Sequence, residues 1–279
     1  MISLSLQPRR IAAEDHYQIS NLIFYDANVH RHLDWRSPLE WIGAPNYWAL
    51  EEYGRLVAAL ACPEDPPQVA WIRLFAYQPH LSARDTWRSI WEAARSEINP
   101  HTYAASIVTK QWFQNLLLSS GYEVKQNVVL LELTLDTLPH VSAPQDFRIR
   151  SMRDDDLSAI AGIDFESFGA FWHNTADALQ RARSFALSAT VAENDSGVIG
   201  YQISTGNPRG AHLARLAVKP EAQGGGVGGA LVNDVVRRAG VRRFSVNTQQ
   251  DNAASLALYK KIGFIRTGEH YPVLVYQTA

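Results

Sequence analysis

Cysteine is almost missing from this 279-residue sequence: Cys62 stands alone, which excludes an intramolecular disulfide and any zinc site built from several cysteines. Net charge is small as well, at −2, so there is no broad positive field for nucleic acid or an anionic membrane. No apolar run approaches the ~20 residues that span a bilayer, and the charges within Met1 to Gln18 are not typical of a signal peptide. We expect a cytoplasmic protein without nucleic-acid or membrane partners.

Tryptophan and glycine are unevenly distributed, yet the two halves of the sequence repeat one order of elements. Seven of the eight tryptophans lie in the first half, whereas the glycines cluster in the second. Alternating apolar residues predict a hairpin in each half, over Trp48 to Ala61 and over Thr190 to Ser204. In each half a predicted helix ends at a glycine followed by an aromatic residue, at Gly121 and at Gly263. The offset between matching positions is roughly 142 residues, which favours an internal duplication.

A glycine-rich loop in the second half is the strongest functional signal. Five of the six residues from Gly224 to Gly229 are glycine, and without Cβ atoms their N–H groups can turn inward and approach a ligand closely. The next segment has an apolar helical face and Gly240 at the position of a C-terminal cap. A helix beginning near Gly228 would direct the positive end of its dipole at the loop, an arrangement that binds phosphate.

Three kinds of phosphate loop compete for this segment. A P-loop needs Lys followed by Ser or Thr after its last glycine, but Ala230 and Leu231 follow here, which excludes it. Gly224, Gly226 and Gly229 do satisfy the dinucleotide fingerprint G-x-G-x-x-G. That fingerprint should directly follow the first strand of a long domain, whereas only about 50 residues remain after this loop. A nucleotide-dependent oxidoreductase therefore stays as one alternative.

The third kind of loop rests on a family resemblance. Gln223 to Gly228 resembles the Q/R-x-x-G-x-G/A pyrophosphate loop of the GCN5-related N-acetyltransferase (GNAT) superfamily. Asn252 to Phe264 resembles the second signature of that superfamily, at the expected separation. His270 to Pro272 resembles the terminal segment of its RimI-type members. The resemblance covers about 147–277, and two signatures in register make it specific.

The resemblance implies an α+β fold: two tandem GNAT-like domains, each a mostly antiparallel mixed sheet flanked by helices. The expected domains are 1–140, a degenerate copy without the CoA motif, and 146–279, the acetyl-CoA-binding catalytic copy. Leu135 to Gln145 has the composition of a linker. In the first copy the loop after Pro79 contains no glycine, and Leu117 stands at the position of Tyr259. We therefore expect the first half to bind no CoA and to be structural.

For the second copy, the resemblance implies acetyl-CoA as co-substrate and no metal. The pantetheine arm would pair with the backbone of the strand that ends at Val218, and a bulge there would leave an N–H facing the thioester oxygen. The residues expected to bind the cofactor are Leu216, Ala217, Val218, Gln223, Gly224, Gly225, Gly226, Val227, Gly228, Gly229, Asn252, Ser255 and Tyr259. Asn252 has an alternative interpretation as a helix N-cap only.

Two residues are expected to catalyse the transfer. By the resemblance, Tyr259 lies near the thioester sulfur and protonates the departing thiolate, since a phenol with a pKa near ~10 keeps its proton at neutral pH. His212 stands where histone acetyltransferases of the superfamily carry a glutamate, and a neutral imidazole could accept the proton of the amine. RimI-type members use a glutamate on the next strand, where this chain has Asn247, which cannot act as a base. Glu166 and Glu193 are the alternative bases.

The sequence thus predicts an enzyme, a GNAT-type N-acetyltransferase that moves the acetyl group directly to a primary amine of a small molecule or a peptide N-terminus. The alternative from another class is a non-catalytic acyl-CoA-binding sensor module. Aromatic residues from Phe165 to His173 fall where the superfamily forms an acceptor wall, although such residues are more often core. The acceptor and the oligomeric state, a homodimer included, are not fixed by the sequence.

Overall fold

The computed structural model describes residues 6–135 and 146–278, so the predicted linker beyond Leu135 lies outside the described residues. The chain divides into two compact units. Unit 1 comprises Met1–Gln126 together with Tyr271–Ala279, and unit 2 comprises Asn127–His270.

Unit 1 is built on an antiparallel sheet with the strand order β1-β3-β4-β6-β2, and a further strand, β5, pairs in parallel with β7. The helices and strands that lie within this unit are β1 (Pro8–Arg10), α1 (His16–Leu22), β2 (Val29–Arg31), β3 (Tyr47–Glu52), β4 (Arg55–Ala61), β5 (Val69–Trp71), β6 (Leu74–Tyr77), α2 (Ala83–Arg95), β7 (Tyr103–Ile107) and α3 (Gln111–Ser119).

Unit 2 has the strand order β8-β13-β12-β11-β10-β9, in which β12 and β13 run parallel and the other neighbours antiparallel. The remaining elements are β8 (Glu123–Thr134), β9 (Arg148–Ser151), α4 (Leu157–Trp172), α5 (Ala176–Ser184), β10 (Ser188–Asn194), β11 (Gly197–Asn207), β12 (Gly210–Val218), α6 (Val227–Ala239), β13 (Arg243–Gln249), α7 (Ala253–Ile262) and β14 (Ile265–Gln277). Both predicted hairpins form, and the mixed α+β fold class is confirmed.

Two long strands are divided between the units. Residues 128–134 of β8 pair with β13 inside unit 2, and residues 273–277 of β14 pair with β7 inside unit 1. Each unit therefore contains a strand supplied by the other half of the sequence. The observed units differ in this way from the expected division into 1–140 and 146–279. The reason is backbone pairing, because the partner of β13 comes from before the linker and that of β7 from the end of the chain.

The two faces of the unit 2 sheet carry different chemistry. On one face, α6 and α7 pack on the alternate residues Leu213, Phe244 and Val246, which are all buried. Side chains alternate along a strand, so the intervening residues of the same strands point to the opposite face. Ser245 and Asn247 are two of them. That opposite face is the more polar one, and it carries the site described below.

Matching ion pairs in the two units support the internal duplication. In unit 1, Arg9 binds Asp15 and Glu51 at 2.8 and 2.9 Å. In unit 2, Arg150 binds Asp156 and Glu193 at 2.7 and 2.9 Å. In both units the aspartate also accepts a backbone N–H three residues before it. Three charged residues in the same arrangement, at nearly constant offset, are not expected of two unrelated domains.

Candidate active site

A gap between two strands is the central feature of unit 2. β12 and β13 form three parallel pairs, of which Leu213–Val246 is the last among the described residues. The register of β12 against β11 shifts at Ala214, as a bulge does, and a bulge bends its strand. Beyond it β12 follows β11 to Val218, while β13 follows β8 to Gln249. The predicted bulge and divergence are both present.

The glycine-rich loop connects β12 to α6. Gly224 and Gly226 have φ angles of 80° and 83°, in the left-handed region that residues with a Cβ rarely adopt. A Cβ added to Gly228 would lie 3.2 Å from Leu258. α6 begins at Val227, one residue before the predicted start, and its N-cap has no side-chain cap. The first N–H groups of a helix have no acceptor within the helix, so they are available to an anion at this loop.

Tyr259 lies on α7 within the apolar core that faces α6. Its side chain is 4% exposed, and its ring centre is 5.6 Å from that of Phe264. Burial raises the pKa of the phenol above its ordinary value, so the hydroxyl keeps its proton at neutral and mildly alkaline pH. Among the described residues nothing hydrogen-bonds to this hydroxyl. The hydroxyl is therefore a protonated donor that no described residue occupies.

Asn252 begins α7 as its N-cap. Its Oδ1 accepts the backbone N–H of Ser255 at 3.0 Å. The capping interpretation of Asn252 is thus observed, and the cap leaves the Nδ2 group uncommitted. Ser255 and Tyr259 follow at a spacing that puts them on one face of the helix.

His212 lies on the polar face, beside the last paired positions of β12 and β13. Its Nδ1 is 2.9 Å from Ser245 Oγ on the neighbouring strand, which leaves Nε2 as the nitrogen available to a ligand. Burial lowers the pKa of His212 below its ordinary value, so the imidazole is neutral at physiological pH and can accept a proton. The alternative base Glu193 is held by Arg148 and Arg150, which lower its pKa to about 2. It is therefore a poor base.

A groove of about 500 Å³ opens beside His212. The groove is lined by residues of β8, β11, β12 and β13 and of the turn between β11 and β12. The polar and charged residues that line it are Glu132, Thr134, Thr205, Asn207, Arg209, His212, Arg243 and Ser245. Its volume lies in the range of small-molecule sites.

A family model for the acetyltransferase (GNAT) family matches residues 156–264. The match contains the glycine-rich loop, the gap between β12 and β13, and α7 with Tyr259. Residues 156–264 of unit 2 are thus similar in sequence to the GNAT acetyltransferases.

Curated relatives of the chain carry an acetyltransferase name. A mycothiol acetyltransferase of Amycolatopsis mediterranei is 27% identical over 55% of this chain and 58% of its own length. One from Salinispora arenicola is 29% identical over 48% of this chain and 49% of its own length. The chain thus spans about half the length of the curated relatives that it matches.

The GNAT fold extends over the whole chain. The structure of a tandem GNAT protein from the clavulanic acid biosynthesis pathway, solved without AcCoA, is similar with a TM-score of 0.64 and 17% identity. The likeness covers 98% of this chain and 99% of that one. The tandem architecture expected from the internal repeat is thereby confirmed.

The predicted cofactor residues of unit 2 lie along the gap and the loop. Leu216, Ala217 and Val218 form the part of β12 beyond the bulge, along the edge that β13 leaves. The side-chain amide of Gln223 donates to the carbonyl oxygen of Val218 at 3.0 Å, so it closes the turn that leads into the glycines. The candidate base Glu166 is exposed on α4.

Unit 2 contains a buried charge network that the sequence does not reveal. Arg215, the residue after the bulge, donates two hydrogen bonds of 2.7 Å to Asp164 of α4 and one of 2.7 Å to the Trp172 carbonyl. Its guanidinium also lies 3.5 Å from the centre of the Phe168 ring. Asp164 is fully buried and accepts the Tyr201 hydroxyl as well. The network fixes the bulged strand to α4.

None of the helices within residues 6–135 and 146–278 is both long and apolar enough to cross a membrane. Within those same residues no cluster of three or more His, Cys, Asp or Glu side chains could hold a metal ion.

Proposed function

We propose that the protein is an N-acetyltransferase that moves an acetyl group from acetyl-CoA directly to a primary amine. One observation carries the proposal: the gap between β12 and β13 opens at a bulge and leads to an uncapped helix N-terminus behind a glycine-rich loop. An extended amide-containing arm can add to the free edge of β12 as a strand would. A diphosphate can bind the N–H groups of the loop and of α6.

The loop fits a diphosphate because side chains are missing where the ligand would approach. Gly224 and Gly226 need their positive φ angles to direct the backbone, and Gly228 allows close packing on Leu258. These residues, with Val227 and the backbone of β12, would hold the cofactor. The bound thioester would supply the activated acetyl group.

Tyr259 and His212 would move the two protons of the reaction. As the amine nitrogen bonds to the acetyl carbon, it loses a proton, which His212 Nε2 would accept directly or through a water molecule. As the carbon–sulfur bond breaks, the Tyr259 hydroxyl would donate its proton to the departing thiolate. Tyr259 packs on the face of the sheet that α6 and α7 cover, and His212 lies on the opposite face, so neither has to serve both steps. Holding amine and thioester together supplies much of the remaining acceleration.

Calorimetry with CoA and acetyl-CoA tests the binding part of this proposal, and release of free thiol with a panel of amines tests the reaction. We expect binding of both nucleotides and turnover with at least one amine class: amino acids, amino sugars, polyamines or peptide N-termini. An acceptor related to mycothiol belongs in the panel because of the names of the relatives. CoA binding without turnover across the panel would favour an acyl-CoA sensor. Absence of CoA binding would contradict both, and stabilisation by NAD alone would favour an oxidoreductase.

A further inference from the structure

We propose that the groove beside His212 is the acceptor site and that the acceptor is a small amine which also carries an anionic group. This inference deepens the proposed function and depends on it. The observations that carry it are the register of four strands, the charges that they place on one face and one buried polar atom that no described residue hydrogen-bonds.

The groove is formed by in-register residues of adjacent strands. Thr205 of β11 pairs with His212 of β12, His212 with Ser245 of β13, and Ser245 with Glu132 of β8. Directly paired residues in a sheet point to the same face. These four side chains therefore form one polar row across unit 2. Arg243 lies two positions before Ser245 on β13, so its side chain points to the same face.

The charges of the groove are not neutralised by any residue that the structure describes. Glu132, Arg209 and Arg243 form no ion pair or hydrogen bond through their side chains with any described residue. The groove thus offers two guanidinium groups near its outer end and one carboxylate beside Ser245. Guanidinium groups bind carboxylate or phosphate through paired N–H donors, and a carboxylate attracts a protonated amine. A ligand with both an amine and an anion would complement this arrangement.

On the side of the gap, the groove ends at His212 and Ser245, one position before the last pair of β12 and β13, and the acetyl group would be delivered beyond that pair. Asn247 follows the last paired residue of β13, on the same face as Ser245. Its Oδ1 is buried and has no hydrogen-bond partner in the described chain. A buried acceptor without a donor is costly, so a bound group should supply the donor. We assign Asn247 as a positioning residue that accepts an N–H of the attacking amine, while His212 takes the proton.

The separation of Asn247 and Arg243 along β13 sets the spacing of the two groups on the acceptor. Asn247 and Arg243 are four residues apart, which is roughly 13 Å along a strand. The arginine side chain can bridge part of that span. The amine and the anion should therefore be separated by several bonds, as in an ω-amino acid.

Matched pairs of amines test the inference by steady-state kinetics at saturating acetyl-CoA. The carboxylate arm compares 6-aminohexanoate with 6-aminohexanamide, and the phosphate arm compares O-phosphoethanolamine with ethanolamine. We expect kcat/KM to be at least tenfold higher for the anionic member of one pair. Equal or higher values for the neutral members of both pairs, or for 1,6-diaminohexane, would overturn the inference.

Variants separate the two ends of the groove. Arg243→Gln and Arg209→Gln should raise KM for the anionic amine and remove its advantage, whereas Arg266→Gln, an exposed arginine of β14 outside the groove, should not. Asn247→Leu should lower kcat with the preference for the anion unchanged, and Asn247→Asp should retain more kcat because it keeps an acceptor oxygen. An unchanged preference in both groove arginine variants would refute the assignment.

A further measurement distinguishes failure of this inference from failure of the proposed function. If no amine is acetylated, calorimetry of 6-aminohexanoate and O-phosphoethanolamine with the CoA-saturated protein still tests the groove. Binding that is lost in Arg243→Gln would support the groove as a site for anionic amines in a non-catalytic protein. No binding of either probe would refute it.

Discussion

The helices α2 and α6 follow the same strand of the repeat but begin in opposite ways. In unit 1, the Ser82 side chain accepts the N–H of Asp85 at 3.4 Å, and Asp85 adds a carboxylate to the first turn of α2. In unit 2, the N-cap of α6 is Gly226, which provides no side-chain cap. The first helix satisfies its own positive end. The second leaves that end available, so the two copies differ in what they can bind although they share a fold.

The two copies also differ at the position of the candidate general acid, which lies on α3 in the first copy and on α7 in the second. Leu117 is fully buried in the aromatic core of unit 1 with Phe75, Trp87 and Phe113, whereas the hydroxyl of its counterpart Tyr259 has no hydrogen-bond partner among the described residues. The structural ion pairs of Arg9 and of Arg150, in contrast, are equivalent. Duplication has therefore preserved the interactions that hold each unit together and not those that would handle a thioester.

The largest expected effect is a loss of CoA affinity when a carboxylate is added at the start of α6, compared with the same addition at the start of α2. Gly226→Asp places a side chain where φ is 83° and a negative charge where the diphosphate should bind. A left-handed conformation costs roughly 1–2 kcal/mol, and like-charge repulsion adds to it, so we expect CoA to bind at least 100-fold more weakly. The matched change Ser82→Asp should leave CoA binding unaltered. Calorimetry measures both, and equal effects would remove the proposed difference between the units.

The next effect concerns the general acid. Tyr259→Phe keeps the ring and removes the proton donor, so kcat should fall about 100-fold, as is usual for loss of acid catalysis, while CoA affinity stays within threefold. The counterpart variant Leu117→Met, which nearly conserves volume, should keep full turnover. Full activity of Tyr259→Phe at neutral pH would show that the thiolate needs no proton from this residue.

The sequence predicts the features that depend on neighbouring residues, but not those that depend on which strands pair. The hairpins, the loop and the end of α6 at Gly240 follow from residues that are close in sequence, chiefly glycines with special backbone angles. The exchange of β8 and β14 does not, because it depends on which strand edge is free in each unit. Nor does the row through His212, Ser245 and Glu132, which exists only through cross-strand register. Asn247 was noticed as a residue unable to act as a base, but its unpartnered oxygen is a property of the packing.

Lowering the pH should reduce the free energy of unfolding of unit 1 because this unit contains a buried histidine. His30 is fully buried, with its Nε2 3.0 Å from Ser106 Oγ, and burial lowers its pKa to about 3. The unfolded chain takes up this proton below pH ~6.5 and the folded chain does not, so stability is lost as the pH falls from there towards 3. At pH 5 the loss is about 2 kcal/mol.

Urea unfolding followed by tryptophan fluorescence measures this effect, since seven of the eight tryptophans lie in the first half. His30→Gln should unfold with a shallower pH dependence between pH 7.5 and 5. Ile19→Val, a buried change in the same unit that costs about 1 kcal/mol without a titrating group, should keep the wild-type slope. If His30→Gln keeps that slope too, another group accounts for the acid sensitivity.

The smallest expected effect is a loss of stability on removal of the N-cap of α2, with CoA binding unchanged. Ser82→Ala removes the side-chain acceptor of Asp85 N–H, so the free energy of unfolding should fall by about 0.5–1 kcal/mol, with CoA binding and turnover unchanged. Ser82→Asp keeps an acceptor at the N-cap and should recover that stability. The N-cap serine of α2 acts only on its own helix. A loss of CoA affinity in Ser82→Ala would therefore mean that unit 1 contributes to CoA binding. In that case the difference between the starts of α2 and α6 would not explain where the cofactor binds.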